Sequence, residues 1–348
     1  MSPHDGGLAA LSFPHATAPA PGTLTEVVPG VHWLRMPLPF ALDHINLWLI
    51  DEGDGWTIVD AGLATDETKA LWDRILGDAL EGRPVKRLLV THFHPDHIGL
   101  AGWLTERLKV PLWCTETEWL FARMLSLDTT EGFVTNALEF YRRTGMDEAT
   151  RAIFAGRGNS YRPRVSPVPY SFHRIAGGQR IAIGKHEWQV MIGRGHAPEH
   201  ACLYCPTLDV LIAGDQILPK ISPNVSLWPQ EPEADALGLY LATIAAIKDS
   251  VPASALVLPS HGLPFLGIDR RIDQLTAHHH ARLNEVESAC AAPHTAAEIV
   301  PVLFRRKLDA HQIGFAVGEA LAHLQHLVRL DRLRRRERAD GVYLYERP

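Results

Sequence analysis

The sequence predicts an α/β fold in which two sheets lie between helical layers, followed by a small helical module that closes on a hairpin. Three observations carry this. Strand-like alternation runs from Thr23 to about Val59 and returns from Gln179 onward. Helical spacing fills the stretch between them and follows the second strand-rich half. After about Ala291 two further helical stretches lead into "RLRRRERADGVYLYERP", where Asp340-Gly341 marks a hairpin turn.

The elements can be justified in order. Residues 1–22, "MSPHDGGLAALSFPHATAPAPG", have neither a basic start nor a continuous apolar stretch, so they read as a flexible tail and not a signal peptide. "VVPGVHWLRMPLP" and "HINLWLIDEGDGWTIVDAG" read as strands, with a hairpin turn at Gly53-Asp54-Gly55. "DETKALWDRILGDAL" has helical spacing, with Leu71, Ile75 and Leu80 able to share a face. "VKRLLV" is a short apolar strand, Gly99 to Leu108 is helical, and "VPLWC" is another strand. Residues 115–160 read as an insert of two or three helices with apolar stripes that include Trp119, Met124, Phe133 and Tyr141. "QRIAIGKHEWQVMIGRGH", "ACLYCPTLDVLIAGD" and "ALVLPSHG" restore the strand pattern, and a helix falls near 233–249. The expected organisation is a tail over 1–22, a catalytic domain over 23–290 and a winged-helix-like module over 291–348.

Composition narrows the function. The net charge of −6 argues against a surface devoted to nucleic acid. Four irregularly spaced cysteines suit a reducing compartment, and Cys202 and Cys205 read as buried strand residues. No apolar run approaches the ~20 residues that span a bilayer, so a cytoplasmic protein without membrane contact is expected.

The chemistry is concentrated in "THFHPDHIG", residues 91–99. Strand alternation puts His92 and His94 on one side, and Pro95 ends strand pairing, so Asp96 and His97 approach from a turn. Neutral imidazoles and carboxylates converging on a point are what a divalent transition metal requires. Further donors follow later apolar strands, each beside a glycine: His196 after "WQVMIGRG", Asp215 after "VLIAG" and His261 after "LVLPS". Most of the nineteen histidines lack that context. His278 to His280 read as an exposed helical stretch, and His200 as a surface residue or a neighbour of the ligands.

"THFHPDHIG", "GHAPEH", "AGDQ" and "SHG", in this order, resemble the metallo-β-lactamase superfamily, and its glyoxalase II-like hydrolases in particular. The resemblance covers roughly residues 23–290 and implies a four-layer αββα sandwich with its metals at one sheet edge. It further implies that His92, His94 and His196 hold one ion, that Asp96, His97 and His261 hold another, and that Asp215 bridges them. In "HAPEH", Ala197 and Glu199 replace the family's usual hydroxyl residue and glycine. The C-terminal part resembles the winged-helix extension of a subgroup that includes an RNA endonuclease and polyketide-associated thioesterases.

Two divalent ions, Zn²⁺ by default with iron or manganese as alternatives, lower the pKa of bound water toward ~7 and polarise the bond under attack. The expected activity is therefore hydrolysis by a metal-bridging hydroxide, with Asp96 as the catalytic carboxylate. The apolar rims favour a small organic acyl substrate, an ester or thioester such as an acyl-CoA. His44, Asn224 and Trp228 are the expected substrate contacts. The alternatives are a phosphodiesterase or RNA nuclease, suggested by the arginines between Arg329 and Arg338, and an iron sulfur-dioxygenase. Those arginines could equally make a solvated face or a homodimer contact. Glutamate stands in place of His94 in flavin-coupled di-iron relatives, so hydrolysis fits this chain better.

Overall fold

The computed structural model describes residues 11–309 and 312–348. The first sheet runs in chain order: β1 (Thr25–Val28), β2 (Val31–Pro37), β3 (His44–Asp51), β4 (Trp56–Val59), β5 (Val85–Leu89), β6 (Leu112–Cys114) and β7 (His173–Arg174). β1 to β4 are antiparallel, and β4 to β7 are parallel. The second sheet holds β8 (Arg180–Ile183), β9 (His186–Gly193), β10 (His200–Cys205), β11 (Val210–Gly214) and β12 (Leu256–Pro259). Only its β11–β12 pair is parallel.

The helices on the first sheet's side are α1 (Asp66–Arg74), the single turn α2 (Pro95–Ile98), α3 (Ala101–Leu108) and α4 (Glu116–Leu127), the first helix of the insert; its other two, α5 (Glu131–Arg143) and α6 (Glu148–Arg157), send Phe140, Tyr141 and Phe154 into the core of the second helical layer. The second sheet is covered by α7 (Ala236–Ser250), α8 (Ile268–Ala289), α9 (Ala296–Leu303) and α10 (Gln312–Arg329). The chain closes on the hairpin β13 (Arg334–Glu337) and β14 (Tyr343–Glu346).

Strand alternation builds the four layers. In β3, Trp48 and Ile50 enter the core between the sheets, while Leu47 and Leu49 face Trp72 and Leu104 on the outer side. In β10, Leu203 and Cys205 face inward, while Cys202 and Tyr204 meet α7 to α10. The two cysteines of "CLYC" therefore lie on opposite faces, and both are buried and free.

The helix–helix–hairpin order of the C-terminal module is present, but the module has no separate core. Leu324 and Leu327 of α10 belong to the same cluster as Tyr240 of α7 and Leu283 of α8. A capping box between Thr295 and Glu298 starts α9. The expected flexible tail differs over its described part: Leu11 and Phe13 pack on the second helical layer, and Ser12 pairs with Leu266. Residues 1–10 lie outside the described residues, as does His311. Among the described residues no helix is long and apolar enough to cross a membrane.

His279, read from sequence as exposed, is fully buried, because the α8 stripe that holds Ile272, Leu275 and Leu283 also carries it inward. Its Nδ1 lies 3.3 Å from His323 Nε2, and His323 Nδ1–H donates to the Glu319 carbonyl at 2.8 Å. Burial and neighbouring cations lower His279 from 6.5 to about 2, and burial lowers His323 to about 4. Both folded values lie below the unfolded one, so the unfolded chain takes up protons first as pH falls. The stability of the neutral pair is intact above pH 6.5 and is lost as pH falls from 6.5, down to about 4 for His323 and about 2 for His279, at roughly 1.4 kcal/mol per ring per pH unit. His279→Leu is expected to flatten the pH dependence of Tm in that window. A slope equal to wild type would remove this pair as its source.

Candidate metal centre

The C-terminal ends of β4, β5, β9, β11 and β12 share one edge of the sandwich, and the candidate donors sit just past four of them. The two sheets are stitched there by Ala201 N–H to Thr91 O (2.8 Å) and Asn46 N–H to Ser260 O (2.7 Å). β5 stops at Leu89, so His92 and His94 lie in the loop after the strand and not on it. They still converge, with His92 Nε2 and His94 Nδ1 2.9 Å apart. Pro95 opens the single turn α2, which carries Asp96 and His97 inward.

All seven donors expected from the sequence come together. Donor atoms of His92, His94 and His196 lie within 4.8 Å of one another, and the same holds for Asp96, His97 and His261, and for His92, His97 and Asp215. His261 Nε2 is 3.5 Å from Asp96 Oδ2 and 3.4 Å from Asp215 Oδ1. His196 Nε2 is 3.4 Å from Asp215 Oδ2, and His97 Nε2 is 3.6 Å from Asp215 Oδ1. Donors arranged tetrahedrally at ~2.0–2.1 Å from an ion stand about 3.4 Å from one another, which matches these spacings.

Hydrogen bonds assign the tautomers. A carbonyl can only accept, so His196 Nδ1 donates to Asn224 O at 2.8 Å and His261 Nδ1 donates to His44 O at 2.7 Å. His97 Nδ1 donates to Asp60 at 2.8 Å. Thr91 Oγ1 donates to Asp60 and faces His92 Nδ1 at 3.0 Å, which leaves His92 Nδ1 as the donor of that pair. Bare Nε2 lone pairs of His92 and His196 then face each other at 3.2 Å. His97 Nε2 and Asp215 Oδ1 are buried with no hydrogen-bond partner among the described residues.

Two lone pairs at that distance repel unless a cation stands between them. Protons do not fill the role on the imidazole side: burial and then His196 push His94 down to about 3, and burial and His97 hold His92 well below its ordinary value. On the carboxylate side, burial opposes charge on His261, but Asp215 and Asp96 outweigh it and raise the ring to about 10. Burial likewise opposes Asp96, which His97 and His261 hold down to about 2. The carboxylate side thus favours bound positive charge while the imidazole side keeps its lone pairs bare, and imidazole and carboxylate donors of this kind suit zinc.

Asp60 and Glu118 escaped the sequence reading, and His200, read as a surface residue or a neighbour of the ligands, is the latter. Asp60, buried and at φ 65°, accepts from Thr91 N–H (2.7 Å) and orients His97. It too follows an apolar strand and precedes a nearby glycine, the rule that found Asp215. His200 lies buried, stacks on His92 at 4.7 Å and accepts the Asp215 N–H at 3.0 Å. A Cβ on Gly214 would stand 2.4 Å from that ring, so only glycine fits there. Glu118 of α4, fully buried, accepts Phe93 N–H (2.8 Å) and Glu199 N–H (2.6 Å), and Glu199 accepts Thr117 N–H (3.1 Å) and Thr117 Oγ1–H (2.7 Å). The glutamate that departs from the family pattern therefore ties the insert to the His196 loop.

The three expected substrate contacts fare differently. His44 stands behind His261: its Nε2 accepts Gly262 N–H at 2.9 Å and its Nδ1 pairs with Asp43 at 2.6 Å. Asn224 gives its carbonyl to His196 and its Oδ1 to Ser226 (2.8 Å), so it too serves the loop. Trp228 lines two cavities of about 270 Å³ each. One reaches His196, and the other reaches His94.

Comparison with known proteins agrees with this geometry. The family model described as the metallo-beta-lactamase superfamily matches residues 41–261, and that of the metallo-beta-lactamase-like C-terminal domain matches residues 283–348. The crystal structure of a beta-lactamase domain protein from Burkholderia ambifaria superposes with a TM-score of 0.89 at 46% identity, covering 97% of this chain and 98% of that one. A probable metallo-hydrolase of Bacillus subtilis (strain 168) is 22% identical over 275 residues, 71% of this chain and 89% of that one. A linear primary-alkylsulfatase of Pseudomonas sp. (strain ATCC 19151) is 24% identical over 236 residues, 64% of this chain and 42% of that one, so this chain spans less than half of that relative's length.

Proposed function

Because the chain belongs to the metallo-β-lactamase superfamily, we propose that it is a binuclear metal-dependent hydrolase acting on an ester or thioester of an organic acid. The observation that carries this is the set of seven converging donors, within which the Nε2 atoms of His92 and His196 face each other at 3.2 Å. His92, His94 and His196 would hold one ion, Asp96, His97 and His261 the other, and Asp215 both. Bound there, divalent ions would supply Lewis acidity and lower the pKa of a coordinated water toward ~7.

The chain's own groups do the rest. Asp96, 21% exposed at its side chain, faces the accessible side, where its carboxylate orients the attacking water and takes its proton. Asp60, Asn224 O and His44 O hold three imidazoles in the tautomer that presents Nε2. Phe93 and Trp228 restrict water beside the imidazole side of the cluster.

Phosphodiester cleavage is less well supported. The hairpin arginines spend their charge at home: Arg335 pairs with Glu233 (2.8 Å), Arg334 and Arg336 with Glu346 (3.0 and 3.2 Å), Arg338 with Asp340 (2.7 Å), and Arg332 with Glu287. Such pairs add little stability but offset most of the field a polyanion would sense, four carboxylates against five arginines. A sulfate ester of an alkyl chain is the second reading, favoured by the likeness to the alkylsulfatase and by the apolar cavity beside His94.

A panel of acyl thioesters, alkyl sulfates and phosphodiesters tests the proposal. Turnover of an acyl ester or thioester is expected, abolished by chelator, restored by zinc and nearly independent of salt between 50 and 200 mM, a range in which a protein with 6–10 phosphate contacts loses roughly 10³–10⁵ in affinity. Phosphodiester turnover with that steep salt dependence, or full activity after metal removal, would overturn it.

A further inference from the structure

The cavity beside His94 has a chemistry of its own. Its walls are Phe121 and Leu125 of α4, Phe133 and Leu138 of α5, and Phe315 at the start of α10. Phe315 is 37% exposed, so an apolar ring stands open to the cavity although the chain has a large core available to it. His94 and Pro95 form one end, so the space is continuous with the donor cluster. Its volume of about 270 Å³ is near the lower end of the range for small-molecule sites, about 300–1,000 Å³.

The rim carries charge of one sign. Arg164 and Arg157 both line it, and burial, with the Arg157 charge beside it, lowers the Arg164 pKa. The Arg164 guanidinium lies 5.5 Å from the Phe40 ring and has no ion-pair partner among the described residues. An apolar trench that begins at the reacting centre and has a cation at its mouth matches a molecule with an aliphatic chain and an anionic group.

Resting on the hydrolase reading above, we propose that this cavity is the chain site of an acyl substrate of medium length, with the acyl end between His94 and Arg164, where the guanidinium meets the carboxylate of the free acid, and the chain between α4, α5 and α10. The insert and the C-terminal helix then have a shared task, which is to form the two sides of the chain site. Neither side alone encloses it. The catalytic sandwich supplies the end wall at His94 and Pro95 and a further stretch at Trp228 and Pro229.

Binding to the zinc-loaded full chain tests this without requiring turnover. Acetate, octanoate and 1-octanol are titrated by calorimetry. Each methylene buried should tighten binding roughly threefold to fourfold, so octanoate is expected to bind at least about thirtyfold tighter than acetate even if only half its chain is enclosed. Ala137→Trp, on the α5 wall, should remove most of that preference while the zinc content stays at the wild-type value. Arg164→Gln should weaken octanoate about fivefold or more and leave 1-octanol unchanged. Octanoate no more than threefold tighter than acetate, or a chain preference untouched by Ala137→Trp, would overturn the chain site. Thioester turnover with no octanoate preference would overturn this inference alone; octanoate preference with no turnover of any ester would uphold it and overturn the hydrolase reading.

Discussion

Replacing Asp96 by alanine is expected to lower kcat/KM about a thousandfold, the middle of the range for loss of a positioned general base, while the protein still folds. The two halves of this result have separate causes. Asp96 sits on the single turn α2 at the accessible side of the cluster, and its side chain contributes little to any of the three cores. Its carboxylate faces His97 Nε2 at 3.7 Å and His261 Nε2 at 3.5 Å, and removing it also relieves repulsion with Asp215. The fold should therefore tolerate the change, and melting in the metal-free state should shift by only a few degrees. The metal-loaded protein should hold one ion less tightly, because His97, His261 and Asp215 remain. Zinc stoichiometry and steady-state kinetics on the same preparation read both effects. Turnover within tenfold of wild type would remove Asp96 from the chemistry.

Glu118→Ala is the second large effect, and it acts at a distance from the donors. This carboxylate is buried at the start of the insert and holds two backbone N–H groups, one between His92 and His94 and one three residues after His196. Burial raises its pKa to about 7, against the pull of those two N–H groups. Alanine leaves both donors buried and unpaired, at about 1–3 kcal/mol each, so a loss of roughly 3 kcal/mol or more in unfolding free energy is expected. The two loops would then no longer be locked to each other, and zinc affinity should fall roughly 10- to 100-fold, as for loss of a partner that orients ligands. Denaturation of the metal-free protein and a competitive zinc titration measure the two quantities. Unchanged zinc affinity in a destabilised variant would confine Glu118 to a packing role.

These two residues also mark how far the sequence could be read. Asp96 lies inside a six-residue cluster of donors, a local signal. Glu118 lies in a helix of "ETEWLFARML" that looks like any amphipathic stretch. What makes it matter is that α4 meets the loop after β5 and the loop after β9 at one point, a contact across 25 residues in one direction and 81 in the other. Asp60 was within reach of the strand-end rule, since it follows the apolar run of β4 as Asp215 follows that of β11. His279 was misread because a run of three histidines suggests solvent, whereas its helical phase with Leu275 and Leu283 decides burial.

The sequence by itself determined the layer order, the hairpins at Gly53-Asp54-Gly55 and Asp340-Gly341, and which seven side chains converge at the sheet edge. Each of these depends on spacing between near neighbours along the chain, which alternation and turn chemistry record directly. Only the tertiary structure decided which nitrogen each imidazole presents, that His44 stands behind His261, that the hairpin arginines are already paired, and that the insert and α10 enclose a cavity beside His94. Those features arise where strand ends from two sheets and helices from distant parts of the chain meet. No local periodicity encodes such a meeting, because it is set by how the layers pack.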